Sequence, residues 1–145
     1  MSIADRTART VWQGSIGAGS GSVTSGSGAL GTLPVTWAAR TEQPGGKTSP
    51  EELLAAAHSS CFSMALAVTL GQKKLTPTSL DVQAKVTLDE VDGKPTITTS
   101  AITVVGTVPG VDAAGFQAII DDAAKLCPVS RLFAGATITV EARLA

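Results

Sequence analysis

Leu80, Val82, Ala84, Val86 and Leu88 alternate with polar residues without a break, Val91-Asp92-Gly93-Lys94 supplies a turn, and Thr96 to Val108 is rich in Thr, Ile and Val. Unbroken alternation marks a half-buried strand, and two such runs around a turn make a long antiparallel hairpin. A hairpin with one apolar face is not stable alone in water, so other elements must cover it. In the second run the apolar phase slips: Ile97, Thr99 and Ala101 share one parity, Ile102 and Val104 the other. That slip predicts a bulge or bend near Ser100. Pro109-Gly110 closes the hairpin.

Helical patterns flank it. Ser49 is a cap residue, Pro50 suits the first helical position, and Glu52 stands three residues after Ser49 as in a capping box. Leu54, Ala57, Cys61, Met64 and Val68 then recur in steps of three and four, which predicts a helix with Cys61 inside its apolar stripe and Gly71 as its stop. After the hairpin, Asp112 caps a second helix whose one face carries Phe116, Ile119, Ile120, Ala123, Ala124 and Cys127. Pro128 cannot continue the helical ladder, so this helix breaks at Cys127, and a turn through Phe133 leads to a last strand, Thr137 to Leu144.

The segment 14–31 holds seven of the fifteen glycines and five serines. That composition also suits a flexible linker, but Val11, Trp12, Val23, Leu30, Leu33, Val35 and Trp37 around and within it favour short strands joined by glycine turns, with Arg40 ending an alternating strand. The run Gly17-Ala18-Gly19-Ser20-Gly21 is not a dinucleotide-binding fingerprint, because its third glycine comes one position early and no strand-turn-helix unit surrounds it.

At 145 residues, with 43% hydrophobic residues, the chain has the size and apolar content of one domain spanning 1–145. A net charge of −1 with no cluster of either sign argues against nucleic acid or an anionic membrane as partner. No secretory pattern opens the chain and no segment approaches the ~18 apolar residues of a membrane span, so a cytoplasmic protein is expected.

The chain has two cysteines, Cys61 and Cys127. In a reducing compartment cysteines that pair are usually catalytic or redox-sensing. A thiolate is the nucleophile, and burial raises a thiol's pKa, so a working Cys61 needs a cation nearby. Arg40 is the candidate, being always charged, and Glu51 can hold its guanidinium fork. Ten residues at about 1.5 Å rise put Glu51 ~15 Å from Cys61 along a straight helix, a gap that a bend or the length of Arg40 must close. His58, one turn before Cys61, invites a Cys-His hydrolase reading, but no Asn or Asp is placed to orient the imidazole, and a packed or interface histidine fits better. Two cysteines and one histidine make only three metal ligands, without the close spacings of zinc motifs. The residues alone leave three readings open: a catalytic thiol pair, a redox-sensing or ligand-binding module that reacts once, and two inert core thiols.

The stretch Ser-Pro-Glu-Glu-Leu-Leu-Ala-Ala-Ala-His-Ser-Ser-Cys-Phe-Ser-Met-Ala-Leu at 49–66, Thr-Pro-Thr-Ser-Leu at 76–80 and Cys-Pro-Val-Ser at 127–130 resemble the OsmC/Ohr family, the osmotically inducible protein C and organic hydroperoxide resistance proteins. The likeness runs from Trp12 through the closing strand. His58, and Val129 after Cys127-Pro128, look more like the OsmC branch. The resemblance implies an α+β fold in which antiparallel sheets wrap two central cysteine-bearing helices in an intertwined homodimer. It implies a thiol-dependent peroxidase acting in stress defence, and an apolar surround of Leu, Met and Phe near Cys61 would favour organic hydroperoxides over hydrogen peroxide by burying the alkyl tail. Cys61 matches the peroxidatic cysteine, Cys127 the resolving one, and Arg40 and Glu51 the activating pair. No cofactor is implied; an external dithiol, of lipoyl type, would reduce the Cys61–Cys127 disulfide.

Overall fold

The computed structural model describes all residues, Met1–Ala145, and the chain divides into two compact units, Met1–Leu53 and Leu54–Ala145. The first unit is the glycine-rich meander that the alternating residues predict. Strands β1 (Ala8–Gln13), β2 (Ser20–Ser25) and β3 (Thr32–Val35) form an antiparallel sheet in the order β1-β2-β3. Gly14, Gly28 and Gly31 take positive φ in its turns, a conformation that costs glycine little. Gly21 has a second role: a Cβ there would come within 2.8 Å of the Val35 side chain and 3.0 Å of the Trp12 ring, so its bare backbone lets neighbouring strands' side chains close over it.

Arg40 does not end a strand, as the alternation suggested. β3 stops at Val35, and Thr36 caps a short helix α1 (Trp37–Thr41) by accepting the Ala39 N–H at 3.1 Å. A threonine that satisfies an orphan helical N–H outweighs a period-two pattern only a few residues long.

Helix α2 (Pro50–Gln72) starts where the cap signals place it, with the Glu52 N–H on Ser49 Oγ at 3.1 Å. The return half of the capping box differs: the Glu52 carboxylate accepts from Thr48 Oγ1 at 3.3 Å. The helix passes Gly71 and ends one residue later, at Gln72. Leu75 N–H bonds Leu70 O and Lys74 N–H bonds Gly71 O, a Schellman closure whose left-handed residue is Lys74 at φ 59°.

The buried side of α2 also differs from the expected stripe. His58, Phe62, Ala65, Leu66, Thr69 and Leu70 are buried, whereas Met64 and Val68 are 64% and 52% exposed and Cys61 lies at the edge. A helix apolar on nearly every side has no unique stripe, so tertiary packing selects its inward face. Contrary to the sequence expectation, α2 is by length and composition apolar enough to cross a membrane. Here its inward face is core: Phe62, Leu66 and Leu70 pack with Ile102, Val104, Phe116, Ile119 and Ile120.

In the second unit, β4 (Ser79–Val91) and β5 (Lys94–Thr107) form the hairpin, closed by Asp92 and Gly93, both at positive φ. The register slips between Thr87 and Leu88, which pair with Thr99 and Ile97, leaving Thr98 as the extra residue. That bulge lies two residues from the expected position and accounts for the change in apolar parity. Beyond it, Val86, Ala84, Val82 and Leu80 oppose Ser100, Ile102, Val104 and Gly106. β6 (Thr137–Leu144) joins β5 in parallel, so the sheet β4-β5-β6 is mixed.

Helix α3 (Ala113–Leu126) is capped by Asp112 Oδ1, which accepts the Gly115 N–H at 2.7 Å, and buries Phe116, Ile119, Ile120 and Ala123. Pro128 breaks it as expected, and a five-residue helix α4 (Pro128–Leu132) follows. Cys127 is at once the last cap of α3 and the first of α4.

Candidate active site

Two groups of predicted residues come together, each within its own unit. In the first unit Arg40 and Glu51 form a forked ion pair: Nε donates to Oε1 and Oε2 at 3.0 and 3.1 Å, and Nη2 to Oε1 at 2.7 Å. Residue Glu51 is 9% exposed and the Arg40 side chain 27%. α1 carries the arginine, the first turn of α2 the carboxylate, and the loop between them is anchored by Thr48 N–H on Pro34 O at 2.9 Å. Two parallel hydrogen bonds between planar groups fix the direction of the guanidinium as well as its place. The Trp37 ring centroid lies 5.8 Å from Arg40 Cζ, adding a cation–π contact. The pair borders an apolar cavity of about 440 Å³ lined by Trp12, Ile16, Val23, Val35, Trp37 and Leu53, among others, in which Arg40 is the one charged lining residue.

In the second unit Cys61 and Cys127 meet. Both are free thiols, and Cys127 Sγ donates to Cys61 Sγ at 3.2 Å. The helix break at Pro128 makes this possible, since it leaves Cys127 at the end of α3, with the chain turning away, opposite the middle of α2. Cys127 is wholly buried and Cys61 is partly exposed. Burial pushes the Cys61 thiol above its ordinary range, the neighbouring Cys127 thiol adds to this, and a hydrogen bond from the Val129 backbone N–H opposes it.

His58 is a packed histidine, as expected, with partners the sequence does not show. It is wholly buried and both ring nitrogens are bonded, Nδ1 to Ser100 Oγ at 2.6 Å and Nε2 to Ser130 Oγ at 2.8 Å. The Phe133 ring packs against the imidazole with centroids 5.2 Å apart. Burial lowers its pKa, so the ring is neutral, donating to one serine and accepting from the other. His58-x-x-Cys61 and Cys127-x-x-Ser130 share one spacing, and the structure pairs them crosswise, His58 with Ser130 and Cys61 with Cys127. The hydrolase reading fails on this geometry, because both nitrogens are already engaged by serines.

The family described as OsmC-like protein matches residues 43–143. Peroxiredoxin OsmC of Escherichia coli (strain K12) is 45% identical over 133 residues, 92% of each chain. The organic hydroperoxide resistance protein of Xanthomonas axonopodis pv. citri is 32% identical over 92 residues, 63% of each. Among solved structures, an organic hydroperoxide resistance protein from Elizabethkingia anophelis superposes with a TM-score of 0.70 at 26% identity, covering 99% of both chains.

Proposed function

Because this chain belongs to the OsmC-like protein family, we propose that it works as a thiol-dependent hydroperoxide reductase in peroxide defence, with Cys61 as peroxidatic and Cys127 as resolving cysteine. The observation that carries this reading is the 3.2 Å approach of two free thiols, one partly exposed and one buried. The Cys61 thiolate attacks one peroxide oxygen, the O–O bond breaks, and an alcohol leaves with a proton, the sulfur being oxidised to sulfenic acid. Cys127 then displaces the sulfenic hydroxyl as water and forms the Cys61–Cys127 disulfide. An external dithiol, for which a lipoyl-type compound is our candidate, reduces the bridge and restores both thiols. The cycle needs no metal or prosthetic group.

We assign Arg40 and Glu51 the activating role that the family resemblance implies, Arg40 as the cation a thiolate requires and Glu51 as the carboxylate that holds its guanidinium in direction. Their forked pairing supports that assignment, since an exposed and unheld arginine would not keep one geometry. The apolar lining of the cavity bordering Arg40 has the chemistry to take an alkyl group, which supports a preference for organic hydroperoxides over hydrogen peroxide. Met64, Val68, Leu126 and Leu132 are large apolar side chains left exposed, of the kind a second copy covers, in keeping with a homodimer of one OsmC-like domain per chain. We place its work in the cytoplasm, where a reducing pool keeps both thiols available.

Peroxide consumption with an organic hydroperoxide and excess dithiol tests the enzyme reading against that of a one-shot redox sensor. Many equivalents consumed per chain are expected; consumption that stops at one equivalent would leave only the sensor.

A further inference from the structure

Oxidation at Cys61 is useful only if Cys127 captures the sulfenic acid before further peroxide does, and capture depends on where the Cys127 turn is held. Cys127 stands between two helices at a proline break: its N–H closes α3 on Ala123 O at 2.9 Å and its carbonyl accepts the Arg131 N–H of α4 at 3.2 Å, bonds that hold it within its own segment but do not tie that segment to α2. What ties the following turn to α2 is lateral. Ser130, one turn beyond Cys127, bonds His58 Nε2 at 2.8 Å, and Phe133 at the end of α4 packs on the same ring. His58 lies one turn before Cys61 on α2, so the bond clamps together the two segments whose sulfurs must react. On its other side Ser100 holds Nδ1 at 2.6 Å. Ser100 sits on the inward face of β5, level with Ile102 and Val104, at a position where an apolar residue would continue the core; its hydroxyl is wholly buried with His58 as its partner. A buried polar chain of this kind is costly unless every member is bonded, and here every member is.

We infer that the chain Ser100–His58–Ser130 is a positioning device for the resolving step: it holds the Cys127 turn over Cys61 and thereby sets how fast the sulfenic acid becomes a disulfide, without taking part in the attack on peroxide. The inference rests on the assignment of Cys61 as peroxidatic and Cys127 as resolving cysteine. In the step concerned, the Cys61 S–O bond breaks, the S–S bond forms, and the hydroxyl leaves as water with the Cys127 thiol proton. His58, Ser100 and Ser130 gain and lose nothing; they are positioning residues.

The test separates the two steps by rapid-quench mass spectrometry after one equivalent of cumene hydroperoxide, following sulfenic acid, disulfide and sulfinic acid on the wild-type chain, Ser130→Ala and Ser130→Thr. Loss of one hydrogen bond to the clamp slows disulfide closure about tenfold in Ser130→Ala, while oxidation of Cys61 changes less than about twofold. With excess peroxide the same variant accumulates more sulfinic acid at Cys61. Ser130→Thr, which keeps the hydroxyl, restores closure. Ser100→Ala, which frees the other ring nitrogen and leaves α4 untouched, slows the same step and serves if Ser130→Ala does not fold. Unchanged closure in the alanine variants, equal slowing of both steps, or failure of threonine to restore closure would overturn the inference. A wild-type chain that reaches sulfenic acid but forms no bridge would instead overturn the assignment of Cys127, and the clamp with it.

Discussion

Cys127 Sγ stands 3.2 Å from Cys61 Sγ, both thiols being free. A disulfide bond is about 2.05 Å long, so closing it requires movement of only about 1 Å, within the reach of side-chain torsions. Removing the second sulfur leaves the sulfenic acid with no capture route. In Cys127→Ser the first turnover proceeds at the wild-type rate, and repeated peroxide addition drives Cys61 to sulfinic acid and stops activity. Sustained turnover by Cys127→Ser with a dithiol, with no loss on repeated addition, would show that an outside thiol does the resolving.

The forked pair of Arg40 and Glu51 makes a second prediction about rate. Arg40→Met lowers the second-order rate constant for Cys61 oxidation by about 10²–10³-fold, the usual cost of removing one donor aimed at a developing charge. Arg40→Lys recovers only part, since an ammonium cannot keep the fork. Glu51→Gln costs about tenfold, because one charge-assisted contact is weakened and the guanidinium stays. Stopped-flow oxidation, with the pH dependence of Cys61 alkylation beside it, measures both effects; wild-type rates in Arg40→Met would remove Arg40 from the account.

Burial pushes the His58 imidazole below its ordinary value of 6.5, which gives a signed dependence of stability on pH. Above 6.5 the ring is neutral in folded and unfolded chains alike, and its contribution is fully present. As pH falls below 6.5 the unfolded chain takes up a proton that the folded one refuses, so stability is lost, at up to about 1.4 kcal/mol per pH unit. Urea unfolding between pH 8 and 5 on the wild type and His58→Gln tests this. The variant is less stable throughout but shows a shallower acid slope; equal slopes would mean that His58 titrates normally in the fold.

Gly106 faces Phe116 closely enough that a Cβ would lie 2.7 Å from Cζ. Phe116 is 1% exposed and packed in the core, so Gly106→Ala is expected to cost about 1–3 kcal/mol by overpacking. Adding Phe116→Leu recovers part of that loss if the ring is the obstacle. Chemical denaturation of the two variants gives the answer, and a neutral Gly106→Ala would show that β5 and α3 are less tightly apposed.

Much of this was legible because the signals are local. Ser49-Pro50 starts α2, Asp92-Gly93 turns the hairpin, Asp112 caps α3 and Pro128 breaks it, each through backbone chemistry within a few residues. Three things were hidden for the opposite reason. α2 is apolar around most of its circumference, so only packing decides that Phe62 and Leu66 turn inward while Met64 faces out. Arg40 follows a short alternating run that a single threonine cap converts to helix. The serines that engage His58 lie 42 and 72 residues away, on a strand and beyond a helix break, where periodicity carries no information about partners.

The central claim is that Cys61 is oxidised and Cys127 resolves it. Intact mass and peptide mapping after one equivalent of an organic hydroperoxide, on the wild type and on Cys127→Ser, test it most directly. The expected products are a Cys61–Cys127 bridge in the wild type and sulfenic acid trapped at Cys61 in the variant. Two unmodified cysteines in both proteins would contradict it.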